Sequence, residues 1–235
     1  MQIWPGFEDQ TSVTFPAGQP PADRALDALL AGYATGSLSA PLHVLVASHL
    51  SLSPQSRAFV RSLEAANTVA LEGIAPVPVS NREEKLRCIF AEEPSAGPIR
   101  RYLPPGDGVL PSPLAHYLGA TLSDIRWRTL LPGVKEHKIE MTERGEAVLY
   151  WIKPGCKMPN HTHEGSEYTL VLKGGFTEVS GHYRRGDIAI ADHEIDHRPV
   201  ADLDEDCICF AVTDAPLRLT GPVGRVVQRL FAKKN

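Results

Sequence analysis

The sequence has few cysteines, no long apolar runs and no clustered positive charge, and each shortage excludes a class of protein. Four cysteines in 235 residues, Cys88, Cys156, Cys207 and Cys209, do not form the dense framework of a small disulfide-stabilised secreted domain. No stretch approaches the roughly 18 uninterrupted apolar residues of a membrane-spanning helix, and residues 1–15 lack the basic and apolar segments of a signal peptide. We therefore expect a cytoplasmic protein without membrane contact.

The charge pattern also gives no reason to expect direct nucleic-acid binding. The chain carries 24 Lys and Arg against 28 Asp and Glu, a formal net charge of −4, and its basic residues are scattered. A protein that grips the phosphate backbone usually shows a clustered basic surface. The apolar content of 43% is that of a packed protein, and the length predicts one or two domains.

Residues 20–75 are predicted to form a small α-helical domain. Apolar residues recur at helical spacing in three successive runs. The runs are Ala25, Leu26, Leu29, Leu30 and Tyr33; Leu42, Leu45, Val46 and His49; and Phe59, Leu63, Ala66 and Ala70. The third begins at Ser53 and Pro54, which predict a helix N-cap followed by proline at the first helical position. Such short amphipathic helices bury little surface by themselves, so we expect them to lean on a partner.

The remainder of the chain is predicted to be mainly β. Residues 76–113 contain eight prolines and are interpreted as a linker. From residue 114 to 222 the apolar pattern alternates, in short β-prone runs separated by turn signals, which predicts an antiparallel sandwich or barrel. The runs lie at residues 147–152, 167–172, 187–191 and 206–212, and residues 223–235 are taken as a C-terminal tail.

Four residues of this β region have the spacing of a metal site. His161 and His163, two apart on a strand, can present both imidazoles to one point. Glu167 comes from the next run and His197 from a later strand. Three imidazoles and a carboxylate suit Zn²⁺, Fe²⁺, Mn²⁺ or Ni²⁺, and ligand softness does not choose among them. The alternative, surface histidines in a polar loop, does not explain the joint spacing.

The glycines around these ligands give the segment a resemblance to the cupins. The first cupin motif is matched at every fixed position by Gly155, His161, His163, Glu167 and Gly174. The second is kept at Gly186 and His197, but Asp192, Glu194 and Ala201 replace its usual Pro, Gly and Asn. The resemblance implies a double-stranded β-helix, or jelly-roll barrel, that holds one divalent metal in its mouth.

A narrower resemblance covers nearly the whole chain. The helical segments 29–38 and 46–52, followed by a cupin, resemble the ChrR family of anti-sigma factors. The resemblance implies that a helical domain binds an extracytoplasmic-function sigma factor and that the cupin senses an oxidant. It also favours zinc as the metal, with Fe, Mn or Ni as alternatives, and leaves a homodimer open.

The helical zinc site of that family is degenerate in this sequence. The family uses an upstream His and then His-x3-Cys-x2-Cys. Here His49 is kept, the two thiols fall on Ser53 and Ser56, and the upstream position falls near Arg24. A neutral hydroxyl is a poor zinc ligand beside a thiolate. We therefore expect no metal in the helical domain, Ser53 as a helix cap and His49 on a packed helix face.

Cys207 and Cys209 are candidates for redox sensing. They share one face of a predicted strand, while Ile208 and Phe210 face the other way. Their Cα atoms should lie about 6.5 Å apart, at the long end of the range for a disulfide, so no resting bridge is expected. If their face lines the barrel, both sulfurs lie near the metal. The alternative is two small buried apolar residues; the family resemblance favours sensing.

Two functional classes follow from these patterns. One is an anti-sigma factor that releases its sigma factor when the cupin is oxidised. The other is a metal-dependent cupin enzyme, a dioxygenase or isomerase acting on a small molecule. The metal ligands are common to both classes. The helical segment favours the regulator, because a small-molecule oxygenase has no need of it.

Overall fold

The computed structural model describes residues 21–91, 108–142, 145–163, 165–191, 197–215 and 217–219. The helices in these ranges are α1 (Pro21–Ala34), α2 (Ala40–Leu52), α3 (Pro54–Glu72), α4 (Arg82–Ala91) and α5 (Ser112–Leu118), with a 3₁₀ turn at Leu122–Asp124. None of the helices within the described ranges is long and apolar enough to cross a membrane.

The ends of the first three helices have local causes. Beyond α1, Gly36 adopts φ +69°, a left-handed conformation that glycine accepts without strain. Ser53 separates α2 from α3: its backbone is extended and its Oγ accepts a hydrogen bond from the Ser56 amide at 3.3 Å. Pro54 follows at the first position of α3. The predicted N-cap at Ser53 is therefore confirmed.

Antiparallel strands form the rest of the described chain. They are β1 (Arg128–Leu131), β2 (Val134–Thr142), β3 (Gly145–Ile152), β4 (His161–His163), β5 (Glu167–Lys173), β6 (Gly175–Glu178), β7 (Gly181–Arg184), β8 (Ile188–Ala191), β9 (Val200–Ala201), β10 (Cys207–Thr213) and β11 (Leu217–Leu219). A six-stranded sheet has the order β1-β2-β3-β10-β5-β8, a three-stranded sheet has the order β7-β6-β9, and β11 pairs with β4. This cupin-like architecture with N-terminal helices confirms the predicted fold class.

The two faces of the six-stranded sheet belong to two separate apolar cores. The inner core lies between the sheets and includes Val134, Ile152, Met158, Val171, Phe176, Ala189, Ala201, Cys207 and Cys209. The outer core lies between the sheet and the helices and includes Leu29, Leu30, Leu45, Val46, Leu114, Leu149, Leu170, Leu172, Ile208, Phe210 and Val212. Strand β10 is buried along its whole length because it contributes to both cores.

The helices are therefore packed on the barrel. Leu45, Val46 and Phe210 are fully buried in the shared outer core, and burial of each such side chain stabilises the fold by about 1.5–3 kcal/mol. The predicted boundaries of the helical domain, linker and barrel remain predictions. Helix α4 and the start of α5 lie inside the segment 76–113, residues 92–107 lie outside the described ranges, and so does the predicted tail at 223–235.

Candidate metal centre

A backbone pairing brings two of the predicted ligands together. His161 opens β4 and forms an antiparallel bridge with His197. The His161 amide donates to the His197 carbonyl at 3.3 Å, and the His197 amide donates back at 3.2 Å. Glu167, the first residue of β5, lies opposite Ala191 of β8. The fold thus draws three residues from separate segments to one end of the barrel.

The donor atoms of these residues are spaced for one ion. Glu167 Oε2 lies 3.5 Å from His161 Nε2 and 3.8 Å from His197 Nε2, and the three donor atoms all lie within 4.8 Å of one another. Two donors that each lie about 2.1 Å from a tetrahedral ion are roughly 3.4 Å apart. The arrangement therefore fits a divalent metal with modest contraction.

The fourth predicted ligand, His163, has its backbone in β4, two residues beyond His161. Its side chain lies outside the described residues, so its role as a ligand stays a prediction. The sequence-predicted set is thus brought together for His161, Glu167 and His197. Across the part of the chain that the structure describes, no other cluster of three or more His, Cys, Asp or Glu donors reaches this spacing.

The outer nitrogens of both rings are held by acceptors that fix the tautomer. His161 Nδ1 lies 2.8 Å from the Pro159 carbonyl, and His197 Nδ1 lies 2.5 Å from Glu178 Oε2. A carbonyl or carboxylate oxygen only accepts, so each Nδ1 carries the proton. Each Nε2 lone pair is then directed at the cluster, the tautomer that metal-binding histidines need.

Glu178 is a site residue that the sequence patterns did not reveal. Its carboxylate is almost fully buried beside His197, and Ser180 Oγ donates to its other oxygen at 2.6 Å. It shares the inward face of β6 with Phe176, which is buried in the inner core. An acidic residue that faces the barrel interior could have indicated a site residue. Sequence alone does not show which residues of β6 face inward, because that depends on the strand register.

Burial and nearby acceptors oppose each other at His161. Burial is the largest single influence and acts to lower its pKa, but the hydrogen bond and charge of Glu167, together with the Pro159 carbonyl and the charge of Glu178, outweigh it and the pKa is raised. Thr169 Oγ1 donates to Glu167 Oε1 at 2.7 Å and holds the carboxylate in place. The site is therefore tuned to bind positive charge, either protons or a metal cation.

The cavity at the cluster is small. Its volume is about 40 Å³, and its lining includes Glu146, Tyr150, Met158 and Cys209 besides the ligands. A cavity needs roughly 10–15 Å³ to hold one water, whereas pockets for drug-sized ligands have about 300–1,000 Å³. The space therefore admits an ion with a few small ligand molecules.

Cys207 and Cys209 share one face of β10, as the alternating pattern predicted, and the structure turns that face inward. Both are buried and free, with Sγ atoms 3.4 Å apart, and Cys209 lines the cavity at the cluster. The hydrogen bond with Cys207, together with burial, raises the pKa of the Cys209 thiol well above its usual range. The structure therefore places the protonated Cys209 thiol at the wall of this cavity with Cys207 next to it, and the sensing role stays a prediction.

The degenerate helical site is occupied by a chain of hydrogen bonds. His49 is buried, with its Nε2 2.8 Å from Ser56 Oγ. Ser53 Oγ in turn donates to Ser56 Oγ at 3.0 Å. The three predicted positions do meet, but they offer one imidazole and two neutral hydroxyls, a poor donor set for zinc.

Comparisons with known proteins agree on one family. Residues 117–216 match the ChrR cupin-like domain. The Anti-sigma-E factor ChrR of Cereibacter sphaeroides is 42% identical over 209 residues, which cover 87% of this chain and 95% of that protein. A chain in the crystal structure of Rhodobacter sphaeroides SigE in complex with the anti-sigma ChrR superposes with a TM-score of 0.68 and 41% identity, covering 80% of this chain and 96% of that one.

Proposed function

Because the chain belongs to the ChrR family of anti-sigma factors, we propose that it holds an extracytoplasmic-function sigma factor inactive and releases it when the cupin barrel is oxidised. The proposal assigns the two tasks to two parts of the chain. The helices hold the partner, and the barrel with its metal centre responds to the oxidant. The protein would act in the cytoplasm, where a sigma factor meets RNA polymerase.

The observation that carries the partner-binding half is a set of exposed apolar side chains on α3, on α4 and on the segment between them. We call this set the α3–α4 apolar surface; it comprises Val69, Leu71, Ile74, Val77, Val79, Ile89 and Phe90, each 62–85% exposed. The apolar faces of α1 and α2 are covered by the barrel, whereas this segment is not. Large exposed apolar groups at this density mark protein-binding sites, and an aromatic residue such as Phe90 is a typical anchor.

The helices need no zinc for this task. Their positions are fixed by the outer core and by the hydrogen bonds of His49, Ser53 and Ser56. We therefore expect the complex with the sigma factor to survive a chelator under conditions that leave the barrel folded.

The sensing half rests on the neighbourhood of the metal cluster and the thiols. We propose zinc at His161, His163, Glu167 and His197, where its charge would lower the pKa of a nearby thiol. A hydroperoxide would then transfer one oxygen to the sulfur of Cys209 or Cys207, which gives a sulfenic acid and releases an alcohol. Added polar volume in the inner core would disturb the strands that carry the helices.

The cavity volume argues against the alternative of a cupin enzyme. About 40 Å³ beside the cluster leaves no room for an ordinary organic substrate. A peroxide group or an oxygen molecule is of suitable size. We therefore favour a sensor over a dioxygenase or isomerase.

Partner binding is tested with one charge placed on the α3–α4 apolar surface. Phe90→Glu should weaken binding of the extracytoplasmic-function sigma factor that this chain holds by about 30-fold or more, since an interface anchor contributes about 2 kcal/mol or more. The matched control is Leu203→Glu, an equally exposed apolar residue on the barrel. Isothermal titration with purified proteins measures both. Equal affinities of the two variants for the sigma factor would show that the α3–α4 apolar surface is not its binding site.

Sensing is tested with the double variant Cys207→Ser, Cys209→Ser. It should bind the sigma factor normally but fail to release it when hydroperoxide is added, whereas Cys156→Ser should behave as wild type. Fluorescence anisotropy of a labelled sigma factor follows release. Release at the wild-type rate would mean that Cys207 and Cys209 only pack in the inner core and do not sense the oxidant. If His161→Ala also released the sigma factor at the wild-type rate, the sensing role would fail and the cupin enzyme would become the better interpretation.

A further inference from the structure

His49 joins the helices to the barrel through a hydrogen bond that the degenerate zinc site does not require. Its Nδ1 lies 2.7 Å from the carbonyl oxygen of Gly186, 137 residues further along the chain. The ring therefore bridges two parts of the fold: Ser56 of α3 at Nε2 and a barrel turn at Nδ1.

The direction of each hydrogen bond in this bridge can be assigned. The Gly186 carbonyl only accepts, so Nδ1 carries the proton and Nε2 accepts from the Ser56 hydroxyl. Burial lowers the pKa of His49, and the Gly186 hydrogen bond and the charge of Asp187 oppose this only in part. The ring is thus neutral and holds its single proton on the side of the barrel.

The turn that His49 contacts is attached to the metal site. Gly186 lies between β7 and β8, adopts φ +96°, and its amide donates to the Val171 carbonyl of β5 at 2.9 Å. Strand β5 begins with Glu167, and β8 ends at Ala191 directly opposite it. The contact partner of His49 is therefore hydrogen-bonded to the strand that carries a metal ligand.

The turn approaches the end of α2 closely at a position whose φ of +96° favours glycine. A Cβ atom at Gly186 would lie 3.3 Å from the Cβ of Leu52, the last residue of α2, a tight contact. The backbone of the turn thus packs directly against Leu52, three residues beyond His49.

We propose that His49 is a latch that fixes α2 and α3 on the turn between β7 and β8, and that it couples helix docking to the state of the strand pair that carries Glu167. Coupling between two sites is reciprocal. A change that moves β5 and β8 therefore loosens the helices, and removal of the latch loosens the turn. The proposal concerns the free chain and does not depend on sigma-factor binding.

Two amide variants separate the two hydrogen bonds of the ring. In His49→Asn the side-chain amide reaches the position of Nδ1, so the donor to Gly186 is kept and the acceptor for Ser56 is lost. In His49→Gln the amide reaches the position of Nε2, so the acceptor for Ser56 is kept and the donor to Gly186 is lost. Each variant therefore serves as the matched control of the other.

Amide hydrogen exchange of the full-length chain tests the latch. His49→Gln should speed exchange about fivefold both in residues 184–188 and at the junction of α2 and α3, which is the effect of one net hydrogen bond. His49→Asn should stay within about twofold of wild type in residues 184–188. If His49→Asn speeds exchange of the turn as much as His49→Gln does, or if neither variant does, the latch is overturned.

A second measurement needs no substitution and covers the case in which His49→Gln misfolds. Ring ¹⁵N shifts of wild-type His49 should show the Nδ1-protonated tautomer, whereas the Nε2-protonated tautomer cannot donate to Gly186 and would overturn the proposal.

Coupling between the helices and the cluster is tested by adding Zn²⁺ and measuring amide hydrogen exchange. It should slow exchange at residues 49–56 in wild type and His49→Asn but not in His49→Gln, and an equal response in all three would overturn the coupling.

Discussion

The His49 cluster in the helices and the His161 cluster in the barrel start from the same imidazole group. Both histidines are buried to a similar degree, at 4% and 3% exposed, and both donate from Nδ1 to a backbone carbonyl. They differ in what faces Nε2. In the helices it is the Ser56 hydroxyl, whereas in the barrel it is the Glu167 carboxylate and a second imidazole.

This difference reverses the electrostatics at equal burial. In the helices burial dominates and lowers the pKa of His49. In the barrel burial again acts to lower the pKa, but Glu167, the Pro159 carbonyl and the charge of Glu178 together outweigh it and raise the pKa of His161. Carboxylates beside a buried histidine thus favour a site that attracts cations over a neutral hydrogen-bond bridge.

The largest effect expected from this comparison is on metal content. His161→Ala should reduce the metal content of the purified protein to background, because it removes one of three clustered donors and leaves Glu167 facing only the imidazole of His197. His49→Ala should leave the metal content unchanged. Elemental analysis by plasma mass spectrometry measures both. The exposed His182, which pairs with Asp202, supplies the control His182→Ala within the barrel.

An intermediate effect is expected at Glu178. Glu178→Gln should weaken metal affinity about 10- to 100-fold, the usual effect of losing the acceptor behind a metal-binding histidine. Competition with a fluorescent zinc chelator measures the affinity. The control is Glu205→Gln, whose carboxylate forms only a surface pair with Lys173. Wild-type affinity in Glu178→Gln would mean that His197 does not depend on this partner for its orientation.

The smallest effect expected is on the pH dependence of stability. The pKa of His49 is lowered by folding, so the unfolded chain binds the proton more tightly. The stabilisation is fully present above the ordinary value of about 6.5 and is lost as the pH falls below it. His49→Gln should therefore lose less unfolding free energy than wild type between about pH 7.5 and pH 5.5. Urea denaturation at each pH measures the unfolding free energy. If this free energy changed with pH equally in wild type and His49→Gln, the lowered pKa of His49 would be contradicted.

How much of this could be predicted from sequence depended on the range of the interaction. The N-cap at Ser53 and the shared strand face of Cys207 and Cys209 follow from local spacing, and both were predicted. Which way that face points was left open, because it depends on the sheet packing. The candidate metal ligands were indicated by a motif whose glycines set the turns. Helix α4 was interpreted as linker, because prolines flank a short segment whose apolar residues face solvent.

The residues that sequence did not reveal act over long distances. Glu178 belongs to the site only because β6 folds over His197, and no local pattern marks it. The contact of His49 with Gly186 joins positions 137 residues apart. The packing of the helices on the outer face of β10 was likewise not predicted, because the same apolar stripe on α2 would suit any partner.

We expect this chain to hold a sigma factor with helices that carry no metal and to bind its own metal only in the barrel. Native mass spectrometry of the chain co-purified with its extracytoplasmic-function sigma factor tests both halves in one spectrum. We expect a complex of the two proteins that carries one metal ion. The ion should be present in the complex of His49→Ala and absent from that of His161→Ala. A spectrum without the complex, or a complex with two ions of which His49→Ala removes one, would contradict it.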